Sequence, residues 1–195
     1  MKTVIIKEAG FEEALYGIGL SYGLTSGIDY NDFLDDGDLF HNVWSVSKKL
    51  YNKDLGHNKF LESMQIWISI NAPRFLWSEI DTYRISTKQS ESTMHTLSKS
   101  DLDQINFEYD IPSFYLEHIN KLVKQVRENK INIDILKNDL PEGFLQTRIW
   151  NMSYKELRNV IKQRQKHKLP QWRMFCDYML RNVEHKEYFK DIIGE

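Results

Sequence analysis

Between Gly56 and His95 the chain gathers an arginine, hydroxyls and amides in a pattern suited to holding an anion. Arg84, Thr87, Gln89 and Ser92 fall within one short stretch there. A nucleoside phosphate needs charge-matched donors for the phosphate and a planar fork or amide for a base edge, and these residue types supply both. The plainer alternative is that the serines and threonines only cap and solvate a loop. The residues by themselves leave both readings open.

Other candidates carry less. Asp29–Asp38 reads as an acidic loop, because its DFLDDGD run lacks the ligand order of an EF-hand. Gly17, Gly19 and Gly23 miss the spacing of a dinucleotide fingerprint and read as helix-packing glycines. Gln163–Lys168 is a basic run without interleaved aromatics, which reads as a solvated helix end; nucleic acid is not expected as a partner. Trp67, Trp77, Trp150 and Trp172 read as packing residues, and Cys176, the one cysteine, as a buried thiol. No metal site is predicted.

The elements that must position these residues follow from periodicity. A strand over Thr3–Ile6 leads through Gly10-Phe11 into a helix over Glu12–Tyr22, and Leu39–Tyr51 reads as an amphipathic helix before a turn over Asn52–Asn58. FLESMQIWISI, Phe60–Ile70, alternates like a half-buried strand. Pro73 marks entry into a helix over Arg74–Thr82, and Thr87–Lys99, polar and without apolar period, reads as a loop. Pro112 opens a helix to Asn129, Ile131–Lys137 starts another, and Phe144–Trp150 reads as a strand. Two helices close the pattern, Tyr154–Gln165 with Leu157, Val160 and Ile161 inward, and Trp172–Asn182 after Pro170. Strands separated by helices predict an α+β fold, a mixed domain with a central, mainly antiparallel sheet flanked by helices.

The 195 residues read as a single domain, 1–195, and 41% hydrophobic residues suffice for a substantial core. A formal charge of -2 provides no general attraction to nucleic acid or anionic membranes, so any phosphate must meet a local cluster. No window approaches the roughly 20 apolar residues of a membrane span. The composition reads as a soluble, cytoplasmic protein.

Thr82-Tyr83-Arg84-Ile85-Ser86-Thr87-Lys88-Gln89-Ser90-Glu91-Ser92-Thr93-Met94-His95 resembles the signature of the flavin-dependent thymidylate synthases, Arg-His-Arg-x-x-Ser-x-Asn-Glu-x-Ser-x-Arg-Tyr. The resemblance extends along most of the chain. KEAGFEEAL, Gly56-His57, Glu62, Ala72-Pro73, Phe75, Leu140-Pro141, Thr147, Asn159 and Arg164 stand in the family's order. It implies a thymidylate-synthase-complementing-protein-like fold assembled as a homotetramer. It also implies methylation of dUMP to dTMP, with FAD as cofactor and methylenetetrahydrofolate and NADPH as co-substrates.

Carried over by position, Arg164 is the catalytic arginine that binds the pyrimidine in its ionised form. The resemblance places Glu79, Arg84, Gln89, Ser90, Glu91, Ser92, Met94 and Lys137 with it on the substrate. His57, Lys59, Thr82, Tyr83, Arg84, Ile85, Ser153, Lys155 and Asn159 fall on the cofactor. Several are departures from the pattern: Thr82 and Tyr83 replace Arg and His, Ser90 replaces Glu, Met94 and Lys137 replace arginines, and Ser153 and Lys155 replace Asn and Arg. Each charged hydrogen bond lost to a phosphate costs on the order of 1.5 to 3 kcal/mol, so two losses weaken dUMP by roughly two to four powers of ten. Lys88, His95 and Lys99 could compensate at a phosphate, and Tyr83 could stack on a ring. A homologue that binds nucleotide or flavin without catalysis is the alternative.

Overall fold

The computed structural model describes residues 1–53 and 55–193. Strand β1 (Lys2–Ala9) turns at Gly10 into α1 (Phe11–Ser21), followed by α2 (Tyr30–Asp35) and α3 (Gly37–Leu50). A 3-10 turn (Lys59–Glu62) precedes β2 (Gln65–Pro73), which runs directly into α4 (Arg74–Ile80). Then come β3 (Thr87–Ser90), α5 (Thr93–Thr96), a second 3-10 turn (Gln104–Asn106), α6 (Ser113–Arg127) and α7 (Ile133–Asp139). Strand β4 (Leu145–Ser153) leads into α8 (Tyr154–Arg164), α9 (Pro170–Asn182), a third 3-10 turn (Lys186–Phe189) and α10 (Lys190–Ile193). The strands form an antiparallel sheet in the order β1-β2-β4-β3, the α+β architecture that the element order predicts.

The residues group into two compact units: Met1–Val4, Ser69–Arg84 and Lys88–Trp150 in the first, Ile5–Ile68, Ile85–Thr87 and Asn151–Glu195 in the second. The first is organised on the pair α6 and α7, whose Ile119, Val123 and Leu136 are fully buried with Leu97, Phe107 and Phe144. Trp77 belongs to the same unit, its indole N–H donating to the Gln146 carbonyl at 2.9 Å. In the second, α1 packs on α3, and α8 on α9 and the first 3-10 turn. Leu157, Val160 and Ile161 are fully buried there, as their spacing predicts. Cys176 is buried too, and burial pushes its thiol up to about 12. Among the described residues no helix is long and apolar enough to cross a membrane.

Four readings change. The acidic loop is two helix starts: Asp29 accepts the Asn31 N–H and Asp36 the Leu39 N–H, so these carboxylates cap α2 and α3. The second strand begins at Gln65, because Lys59–Glu62 coils into the 3-10 turn and only from Ile66 does burial alternate regularly. Thr87–Lys99 contains β3 and α5; β3 is an edge strand, mostly solvated, so no apolar alternation announces it. Of the three glycines, only Gly19 packs closely, since a side chain there would run into Thr25, while nothing lies within 4 Å of one at Gly17 or Gly23.

Gly10 shows a tighter constraint. Its φ is +89°, and a Cβ would lie 2.5 Å from the Ser63 carbonyl oxygen. Gly10→Ala combines left-handed strain with a backbone clash and costs about 2 kcal/mol or more. Urea denaturation checks this; a midpoint shift worth under about 0.5 kcal/mol would mean that the turn relaxes freely.

Candidate substrate and cofactor site

In the first unit the Thr82–Met94 stretch begins where α4 ends. Arg148 on β4 pairs with Asp81 at 3.0 Å and lies 4.6 Å over the Trp77 ring, which fixes the residue before Thr82. The Thr82 hydroxyl donates to the Glu79 carbonyl at 2.7 Å. Tyr83 is only 6% exposed and sits 6.0 Å from the Trp150 ring, so its ring is spent on packing. Its carbonyl accepts the Lys88 ammonium, which engages that cation locally. The compensating roles read for Tyr83 and Lys88 thus compete with contacts inside the unit.

Beyond Tyr83 the side chains turn outward. Arg84, Gln89, Ser90 and Ser92 are exposed, as is Ile85, and among the described residues Arg84 forms no ion pair. Ser92 sits at the N-cap of α5 yet makes no side-chain capping bond, which leaves its hydroxyl to solvent. Glu91 joins β4: its N–H donates to the Thr147 carbonyl at 2.9 Å, and its carboxylate accepts the Thr147 N–H at 3.3 Å. Met94 and Lys137, 43 residues apart, meet with Sδ and Nζ at 3.8 Å. Thr147 also accepts the Asn71 amide at 3.0 Å.

In the second unit a cavity of about 640 Å³ opens beside α1. His57 and Lys59 line it, following Gly56, whose φ of +88° turns the chain there. The sequence points to these two, and misses that Glu13, Gly17 and Ser21 of α1 form another wall. Their spacing of four residues, one helix face carrying a glycine, was the available signal.

Helix α8 is fixed to the same region. Ser153 caps it, accepting the Glu156 N–H at 3.2 Å, and Lys155 pairs at 2.6 Å with Glu62 in the turn that follows His57 and Lys59. Asn159 donates to Glu156 at 3.3 Å and accepts from Gln163 at 2.8 Å. At the last turn the Arg164 guanidinium lies 4.8 Å over the Trp172 ring, half-buried but still charged. The basic run beyond it is partly tied down, since Arg173 donates to the His167 and Lys168 carbonyls.

Arg158 anchors the inward side of α8. Its side chain is 5% exposed, pairs with Asp191 at 2.9 Å, and packs over the rings of Tyr51 and Phe189. Lys162 reaches the same carboxylate at 3.2 Å. Burial alone would raise the Asp191 carboxyl, but Arg158 and Lys162 outweigh it and hold it below its usual 3.8. The clamp's contribution is therefore complete above that value and is lost as pH falls through the lower folded value. Asp191→Asn costs about 2 to 3 kcal/mol in urea denaturation at pH 7, less than a fully buried pair because Asp191 keeps some water. The gap between variant and parent closes as pH falls through the lowered folded value of Asp191; a gap that persisted once that carboxyl is protonated would assign the loss to packing instead.

A family model described as "Thymidylate synthase complementing protein" matches residues 31–186. A search of curated proteins finds no match. Among solved structures, a flavin-dependent thymidylate synthase from Helicobacter pylori complexed with FAD and dUMP is similar at TM-score 0.75 and 17% identity, over 98% of this chain and 99% of that one. A Helicobacter pylori thymidylate synthase X with FAD and dUMP is similar at TM-score 0.78 and 16% identity over the whole of both chains.

Proposed function

The chain belongs to the thymidylate synthase complementing protein family, and from that premise we propose that it is an FAD-dependent pyrimidine nucleotide methyltransferase. The proposed reaction converts dUMP to dTMP with methylenetetrahydrofolate and NADPH, or acts on a closely related pyrimidine nucleotide, in a cytoplasmic homotetramer. What supports the substrate side most is the meeting of Met94 and Lys137. These two positions are assigned to the nucleotide independently, from segments far apart in the chain. Lys137 supplies a point charge to a phosphate there, without the fork of an arginine. Ser92 and Gln89 offer a hydroxyl and an amide to the phosphate and the base edge.

Arg164 carries the catalytic role. An arginine stays charged whatever it faces, so it stabilises a pyrimidine ring that develops negative charge at N3. Trp172 beneath the guanidinium limits its rotamers and orients it. The residues fit a flavin: Lys59 brings positive charge and His57 a ring hydrogen-bonding group to a cavity with apolar walls at Ile18, Leu50 and Phe60. FAD, when bound and reduced by NADPH, would supply the hydride that completes the methyl group. His57, Lys59, Ser153, Lys155 and Asn159 would hold it.

One observation favours the non-catalytic alternative. Of Thr82 and Tyr83, which stand where the family pattern has a cation and a ring donor, the first bonds its hydroxyl to the Glu79 carbonyl and the second packs its ring beside Trp150 in their own unit. A protein that takes up nucleotide or flavin without turnover would fit that arrangement.

The visible absorption spectrum of the purified protein, then NADPH oxidation that depends on both folate and dUMP, separates the two. The enzyme shows flavin bands and turnover, and Arg164→Ala lowers kcat by about 10² to 10³. Turnover that survives in that variant would remove Arg164 from the mechanism. Uptake of nucleotide or FAD without NADPH oxidation would support the binding protein.

A further inference from the structure

Gly17 lies inside α1, where a glycine destabilises a helix relative to alanine. The chain's own packing does not ask for it. Two residues on, a side chain at Gly19 would collide with Thr25, so that glycine is required by close approach. At Gly17 nothing lies within 4 Å of a Cβ, and the space it leaves belongs to the cavity that Glu13 and Ser21 line one turn to either side.

That cavity has a definite chemistry. Its volume of about 640 Å³ falls within the roughly 300 to 1,000 Å³ of small-molecule sites. Ala14, Ile18, Leu50 and Phe60 give it apolar and aromatic surface. Among the described residues neither Lys59 nor His57 forms an ion pair, and Glu13 lies on the opposite wall, on α1. Lys59 is therefore a cation that an anionic group of an occupant can meet, with the His57 ring beside it.

We propose that this cavity takes an aromatic ring bearing an anionic group, laid against the bare backbone of α1 at Gly17, and that Gly17 sets how large a ring can enter. Lys59 and His57 meet the anionic group; Glu13 and Ser21 flank the ring along the helix. This deepens the flavin reading and rests on it for the identity of the natural ligand, while the size limit at Gly17 stands on the cavity itself.

Full-length protein is titrated with 8-anilinonaphthalene-1-sulfonate, an aromatic sulfonate, by fluorescence, and separately with FAD. Gly17→Leu is expected to fold as well as the parent, since its side chain enters open space, and to weaken the sulfonate at least about tenfold. Gly17→Ala is expected to weaken it only about two- to fivefold and to raise Tm by about 2 to 4 °C. Lys59→Ala is expected to weaken it about fivefold and to flatten its salt dependence. Failure of the parent to bind the sulfonate, or equal binding by a folded Gly17→Leu, overturns the inference. FAD uptake by the parent supports the flavin reading; refusal of FAD alongside a sulfonate site blocked by Gly17→Leu overturns that reading and leaves the inference standing.

Discussion

The junction between β4 and α8 is the constraint on which the second unit depends. Ser153 ends the strand and caps the helix, and the next residue, Tyr154, donates its N–H to the Met64 carbonyl at 2.9 Å while its hydroxyl meets the Glu8 carboxylate. Three chain segments are thus joined at one residue. Burial raises the Glu8 carboxyl above its usual range, against the opposing pull of the Glu184 N–H and His185. A half-buried carboxyl bonded to a phenol and a backbone amide fixes direction as well as distance, so α8 leaves the sheet at a set angle. Rotating α8 by one residue would expose Leu157, Val160 and Ile161, each fully buried now.

That fixed rotation also decides what α8 can present. Lys155 and Asn159 are one turn apart on a side of the helix that is not the core stripe, and Arg164 ends it. Arg158 lies on the inward side, where a charge is costly to desolvate; two aromatic faces and Asp191 compensate, though one guanidinium nitrogen has no partner among the described residues. An unpaired nitrogen next to a paired one keeps the guanidinium from swapping orientations without penalty. The C-terminal α10, which supplies Asp191, thereby becomes part of what holds the proposed catalytic helix.

Regular burial is what the sequence makes legible. Ile66, Ile68 and Ile70 alternate, α8 carries its stripe, and Pro112 and Pro170 mark the starts of α6 and α9, so these elements follow from spacing and from proline's missing N–H. The collinear run from Gly56-His57 to Arg164 made the family legible as well. Elements held by local polar bonds were not. Asp29 and Asp36 look like loop residues because a carboxylate that caps a helix has the same composition as one that solvates a turn. Strand β3 hid behind its hydroxyls because an edge strand needs no apolar face. The cavity was hidden for a different reason: it forms where α1 meets the turn carrying His57, and no single segment contains both walls.

The direction in which each polar group of the Thr82–Met94 stretch points says more than its identity does. The Thr82 hydroxyl bonds the carbonyl of Glu79 and the Tyr83 ring is buried within the unit. Arg84, Gln89, Ser90 and Ser92 do the opposite and stay in solvent. Exposed donors without a partner among the described residues lose little on meeting an anion, because they have only water to release. The side chains best prepared for a ligand are therefore the ones the fold leaves unused. Their neighbours, Glu91 bonded to Thr147 and Arg148 bonded to Asp81, supply the rigidity that keeps them in place.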